Sequence, residues 1–337
     1  MSAASANQRL HWVDYARGLA ILLVVSVHSA AGVQGSSLAM PEPAGSHYYA
    51  VTLSFAMALF FFLSGLFVDR SLGRGPASYL RGKWWGILYP YLLWSVVLVV
   101  ARWAMRGHIN TPMGFDRLAT IAWDPVQPMW FLYALFFCFV LYAVLRRLPW
   151  WLHLLVAVVL NVGQSGLSAG VLNDCLAHYL FFYLGALSAV WVCQAAASIR
   201  AGHVAALLVV YGVAVTHYTL SIVTPETWGA HPVVGTTPQW VHVPLLGIAA
   251  ALGVCALLEK NGWMPWLATL GRFSLAIYMA HLLATAATRI ILQQFFGLED
   301  VMVHVALGTV AGVAFPATLY KLSERYGIQR WVGFGAA

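Results

Sequence analysis

Apolar runs of about twenty residues, separated by short stretches carrying Pro, Gly and charge, recur along this chain. A run of that length satisfies its own backbone polar groups as a helix, the one single-segment structure that hydrocarbon tolerates. Ten such runs lie at approximately 12–32, 48–68, 84–103, 129–147, 149–164, 175–193, 203–222, 240–258, 271–292 and 301–320. The fifth is the shortest. Of 337 residues, 61% are hydrophobic and 9% charged, more apolar surface than a soluble core of this size could hide. The expected fold is therefore all-α, a polytopic membrane bundle of about ten helices forming one domain.

Lys and Arg set its orientation, because basic loops stay on the cytoplasmic side. With the N-terminus inside, fourteen of the 18 Lys and Arg residues fall at inner helix ends, leaving Arg102, Arg106, Arg117 and Arg289 outside. Both termini are expected in the cytoplasm. Omitting the fifth helix would move later basic loops outside, so the same count favours ten. The net charge of +7 follows this clustering and points to a membrane surface, not to nucleic acid. The first run holds Arg17 and His28 and reads as a retained helix, not a cleaved signal. Cys138, Cys175, Cys193 and Cys255 have no metal or disulfide spacing. The longest polar connections, 33–47, 104–128 and 222–239, are rich in Pro, Gly and aromatics and read as loops packed over the outer mouth.

Within the first run, DYARGLAILLVVSVHSA, Arg17 and His28 are eleven residues apart. On a helix that separation is about 1100°, or three turns plus about 20°, so both share one face about 16 Å apart. Asp14 falls near the same face. Ionisable groups inside a span face the protein interior and mark a functional site by default. A neutral His is suited to act as a base toward a hydroxyl. Arg17 cannot discharge and needs an anionic partner, whether Asp14, a ligand phosphate or a polar ligand arm. The simpler alternative is that Arg17 snorkels to inner headgroups with Asp14 beside it, while His28 bonds a neighbouring helix.

Further segments follow in order: FFFLSGLFVDR ends the second run, YLRGKWWGILYPYLLW opens the third, QPMWFLYALFF the fourth, and GRFSLAIYMAHLL lies in the ninth. With the Arg and His of the first helix, this ordered set resembles the acyltransferase-3 family of integral membrane acyltransferases over most of the chain. The resemblance implies transfer of an acyl group, usually acetyl, from cytoplasmic acyl-coenzyme A to a hydroxyl of a sugar, glycan or related acceptor at the other face. Arg17 and His28 match the family's essential Arg and His, Ser64 and Gly65 its Ser-Gly, Trp130 its fourth-helix aromatic, and Tyr278 and His281 its late Tyr and His. After Arg81 the chain departs from the pattern, with Gly82, Lys83, Trp84 and Trp85 where many relatives place further basic residues.

The residues themselves fit this chemistry. Coenzyme phosphates need cations, and the connection from Asp69 to Lys83 offers Arg70, Arg74, Arg81 and Lys83, of which Arg81 and Lys83 flank the third helix. Ordinary positive-inside retention is the competing reading. His28 and Arg17 are the expected catalytic pair. Arg17, Arg81, Lys83, Ser64 and Trp130 are expected on the coenzyme, and Asp14, His281 and Tyr278 toward the acceptor. No metal is expected. Ser64 could instead permit close helix contact, and His281 could satisfy an interhelical hydrogen bond. Of the twelve histidines, His28, His47, His108, His178, His217, His231, His242 and His304 fall in the outer half, either as an acceptor vestibule or as scattered interfacial residues. Arg102, Arg106 and Arg289 run against the charge bias, which would suit an anionic acceptor or lipid.

The main competing class is a proton-linked secondary transporter or exporter, to which buried Arg and His are equally suited. No repeat of the Arg17–His28 arrangement appears in the second half to support it. A non-catalytic glycan- or lipid-binding subunit is a third class. The expected partners are acyl-coenzyme A, a carbohydrate or glycoconjugate acceptor and the bilayer, with a bacterial inner membrane as the location. The oligomeric state is open, a homo-oligomer included.

Overall fold

The computed structural model describes residues 10–34, 38, 44–167, 170–222 and 238–335. Arg9, His231 and most of the connections 33–47 and 222–239 lie outside the described residues. Within them the chain is helical, and no strand occurs. The elements are α1 (His11–Gln34), α2 (Ala44–Gly65), α3 (Val68–Leu72), α4 (Pro76–Lys83), α5 (Tyr89–Ala104), α6 (Trp130–Leu145), α7 (Trp150–Gly163), α8 (Val171–Ser198), α9 (Ala201–Ile222), α10 (His242–Lys260), α11 (Pro265–Arg272), α12 (Ser274–Ile290) and α13 (Val301–Arg325). A π-helical turn, Trp84–Leu88, joins α4 to α5 without a break, and another, Ile291–Phe295, extends α12.

Eight helices among the described residues are long and apolar enough to cross a bilayer, which makes the chain an integral membrane protein. These eight correspond to eight of the ten expected runs, and the other two form shorter helices. The fourth and fifth expected spans form α6 and α7, of 16 and 14 residues. At 1.5 Å per residue they measure about 24 and 21 Å, short of the roughly 30 Å hydrocarbon layer. Punctuation explains the shortness: Pro128 lies ahead of α6, and Arg146, Arg147 and Pro149 separate the two helices. The third span is longer than its apolar run, because Pro76 occupies the first position of α4 and the helix carries through the basic segment. The ninth does not begin at 271, since α11 ends at Arg272 and α12 starts separately after Phe273.

Helix α1 lies at the centre, packed against α2, α10, α11, α12 and α13. Its small and branched residues Ala16, Ala20, Ile21, Val24 and Val25 are all buried. Two reciprocal glycine crossings bring backbones together. A Cβ on Gly18 would collide with the Leu267 carbonyl of α11, and one on Gly271 with the Asp14 carbonyl of α1. Between α2 and α8, Gly65 and Gly185 meet the carbonyls of Phe182 and Phe62 in the same way. Association in lipid relies on such close backbone packing, because apolar side chains gain little by leaving hydrocarbon. The periphery is apolar, with Val213 67% and Val310 64% exposed on α9 and α13.

Two ends of the bundle can be distinguished. At the terminal end, the segment after α13 folds over the start of α5: Tyr89 donates to the Trp331 carbonyl, Trp94 to that of Val332, and the Arg330 guanidinium sits 3.8 Å from the Trp85 ring centre. At the opposite end, the connection between α5 and α6 forms the packed cover its composition suggested. Arg102 donates to the Gln127 carbonyl at 2.9 Å and Asn110 to that of Gly32 at 3.1 Å, while Ile121 of the same connection reaches back along α5 to accept from the Tyr91 hydroxyl.

Candidate functional site

The charge pattern of α1 divides the site between these ends. At the terminal end a cavity of about 290 Å³ is lined by Arg17, Ser64, Phe67, Arg70, Ser71, Arg74, Lys83 and Phe139. Four of these are cations and none is acidic, a lining whose charge would attract an anion. Local sequence builds it. The chain leaves α2 through Ser64 and Gly65, and Gly75 at φ 95° reverses it into α4, a conformation that favours glycine. The nearby Asp69 carboxylate accepts a hydrogen bond from the Tyr142 hydroxyl at 2.7 Å. Lys83 holds its ammonium 3.4 Å from the Phe139 ring centre and 5.1 Å from that of Tyr79.

A second cavity, of about 150 Å³, lies at the opposite end and is lined by residues of α1, α5, α12 and the connection after α5. Its polar lining residues are His28, Ser29, Arg102, Asn110, Thr111, Thr285 and Arg289. His28 Nδ1 is 2.8 Å from the Val24 carbonyl oxygen. That oxygen only accepts, so Nδ1 carries the proton and Nε2 of the neutral ring keeps its lone pair. Beside it, the His281 ring is buried, 4.9 Å away between centroids and at 80°. Its Nδ1 is bonded to the carbonyls of Tyr278 and Ile277 at 2.7 and 3.1 Å, and its buried Nε2 has no hydrogen-bond partner. The two cavities share no lining residue. Arg17 and His28 place one at each end of an α1 segment about 16 Å long.

The structure thus gathers Arg17, Ser64 and Lys83 on one cavity and sets His28 on another, with His281 against it. The remaining expected residues lie elsewhere. Arg81 is exposed and lines neither cavity. Trp130 packs at 5.4 Å on His178, which stacks on Phe61. Tyr278 is buried and donates to the Pro128 carbonyl, tying α12 to the turn before α6. Asp14 is buried at the α1–α11 crossing. Phe67, Ser71 and Phe139 join the basic cavity with no sequence signal to mark them. Arg102 and Arg289 line the His28 cavity, and their placement against the charge bias was the available signal. Arg106, the third exception, stacks on Trp103 at 4.9 Å. Among the described residues His28 is the one histidine of the outer set that lines this cavity; His304 contacts the Leu298 carbonyl and His217 the Trp240 ring. Among the described residues, no group of three His, Cys, Asp or Glu side chains could hold a metal ion.

The class, a membrane acyltransferase, comes from the family match together with the membrane-spanning helices. The acyltransferase-3 family model, an acyltransferase domain, matches residues 10–321, and the chain belongs to that family. No curated protein and no solved structure matched the chain.

Proposed function

We propose that the chain is an acyl-coenzyme A-dependent O-acyltransferase. It moves an acyl group, acetyl by preference, from the terminal end of the bundle to a hydroxyl of a sugar or glycan at the opposite end. The observation that carries this reading is the division of α1: Arg17 faces a basin with four cations, and His28 faces a separate cavity eleven residues further on. A coenzyme with its phosphates among Arg17, Arg70, Arg74 and Lys83 would extend its thioester arm toward His28. The charge count places the terminal end in the cytoplasm, where acyl-coenzyme A is found, and a bacterial inner membrane suits that orientation.

In the proposed step, His28 Nε2 takes the acceptor hydroxyl proton as that oxygen bonds to the thioester carbonyl carbon. The carbon–sulfur bond then breaks, and the imidazolium returns its proton to the departing thiolate. Arg17 orients the coenzyme, and His281, buried against His28 and outside the lining of its cavity, holds that ring in position. Direct transfer is favoured over an acyl-Ser64 intermediate, because the Ser64 hydroxyl is bonded to the Phe60 carbonyl at 2.8 Å and lies in the other cavity from His28.

The test incubates purified protein and its His28→Ala variant with radiolabelled acetyl-coenzyme A and membranes bearing candidate glycans, following free thiol and label. Transfer that depends on His28 supports the reading. Failure to bind any acyl-coenzyme A or to release thiol overturns it in favour of a transporter.

A further inference from the structure

We propose that the acceptor carries an anionic group, carboxylate or phosphate, held by Arg102 and Arg289 next to the hydroxyl presented to His28. This inference rests on the acyltransferase reading above and specifies the acceptor class.

Two guanidiniums share one small cavity with His28, Arg102 from α5 and Arg289 from α12. Arg289 is 8% exposed, and its partners are the Gln293 amide oxygen at 3.3 Å and the His108 carbonyl at 3.5 Å. Arg102 contacts the Met113 sulfur at 3.6 Å and the Gln127 carbonyl at 2.9 Å. All four partners are neutral, and among the described residues neither guanidinium has a carboxylate within ion-pair distance. A guanidinium has five N–H donors and stays charged, so these contacts leave donors on both side chains for a ligand. Two like charges withdrawn into a protein cavity without a counter-charge are costly, and an anion on the ligand relieves that cost. Neutral polar groups of the lining, among them Asn110, Thr111 and Thr285, suit the remaining hydroxyls of a sugar.

An anionic lipid headgroup would satisfy the same two cations. The acceptor is favoured because Arg289 is buried, and both arginines line the very cavity onto which His28 opens.

The experiment uses the full chain in phosphatidylcholine nanodiscs and measures binding of glucose, glucuronate and glucose 1-phosphate, alone and with acetyl-coenzyme A. Binding of at least one charged sugar ten-fold or more tighter than glucose is expected, weakening with salt. Arg102→Gln and Arg289→Gln should each remove that preference, Arg289→Lys should restore part of it, and acetyl-coenzyme A binding should not change. Glucuronate against glucose 1-phosphate decides between carboxylate and phosphate. Equal binding of glucose, no binding of any charged sugar at millimolar concentration, or a preference that survives both Gln variants overturns the inference. So does its abolition when phosphatidylglycerol replaces part of the lipid, which assigns the pair to a headgroup. The two readings fail separately. Selective binding of charged sugars without thiol release would count against acyl transfer and leave the anion site, whereas His28-dependent transfer to neutral sugars, unaffected in the Arg variants, would do the reverse.

Discussion

The imidazoles of His28 on α1 and His281 on α12 stand edge to face, 4.9 Å apart between centroids, and each turns Nδ1 onto carbonyl oxygen of its own helix. Each helix thereby fixes the tautomer of its ring and leaves Nε2 as the chemically free nitrogen.

The two rings should differ in consequence when replaced. His28→Ala is expected to lower acyl transfer by about 10²–10⁴-fold, the usual contribution of a general base. His281→Gln, which keeps a hydrogen-bonding group, should cost about ten-fold in kcat. Neither should alter the Kd for acetyl-coenzyme A. Thiol release and equilibrium binding on the same preparations check this, and turnover above half in His28→Ala would remove the base from the mechanism.

Placement around the basic cavity separates Lys83 from Arg81, two residues that look alike in sequence. Lys83→Ala and Arg74→Ala should each raise KM for acetyl-coenzyme A by about ten- to a hundred-fold, as expected for a charge-assisted contact of about 1.5–3 kcal/mol. Exposed Arg81→Ala should change it less than about two-fold. Steady-state kinetics at low and high salt would measure this, and an equal effect at all three positions would mean that the surface field acts instead of the cavity.

The glycine crossings predict a pattern in stability. Gly18→Ala and Gly65→Ala press a methyl against backbone carbonyls on α11 and α8. Each should cost about 1–3 kcal/mol, the range for overpacking. Gly212→Ala in α9 has nothing within 4 Å of the added carbon and should be neutral or gain up to about 1 kcal/mol in helix propensity. Thermal unfolding in detergent would rank the three, and a stable Gly18→Ala protein would show that α1 and α11 can separate.

In the cover over the His28 cavity, Arg117 bonds Asp124 at 2.5 Å, and this hydrogen bond holds the Asp124 carboxyl below its ordinary 3.8. A carboxyl lowered in the folded state adds stability above its unfolded value and loses it as pH falls through the folded one. Asp124→Asn should therefore loosen this connection at pH 7, and the difference from the unsubstituted protein should fade at pH values below 3.8. The pair is at the surface, so the effect stays below about 1 kcal/mol. Protease susceptibility of the connection at pH 7, and hydrogen exchange at pH 7 and at acid pH, would report it. A gap that persists in acid would point to steric packing.

Particular residues show how much the sequence exposed. Arg17, Ser64 and Lys83 belong to separate segments and line one cavity, yet the sequence marked the two cations only as inner-end charges, for which retention or snorkelling competed, and Ser64 only through the family resemblance. Trp130 and Tyr278 were legible as motif residues but not in their contacts, since an aromatic in lipid packs equally well on ring or wall. The shortness of α6 and α7 was only partly legible. Apolar content continues past their ends, while Pro149 and the packing of neighbours decide where each helix stops.

The sequence by itself determined that the chain is a helical membrane bundle and that one helix carries Arg17 and His28 in register, because backbone groups in lipid must bond within their own segment and helical spacing is fixed. Only the tertiary structure decided that these two residues open onto different cavities. It also decided that His281 stands against His28, and that Arg102 and Arg289 share the His28 pocket without a carboxylate. Those relations join helices far apart in the chain, and their pairing depends on which backbones the glycines allow into contact, a matter of packing that local periodicity does not encode.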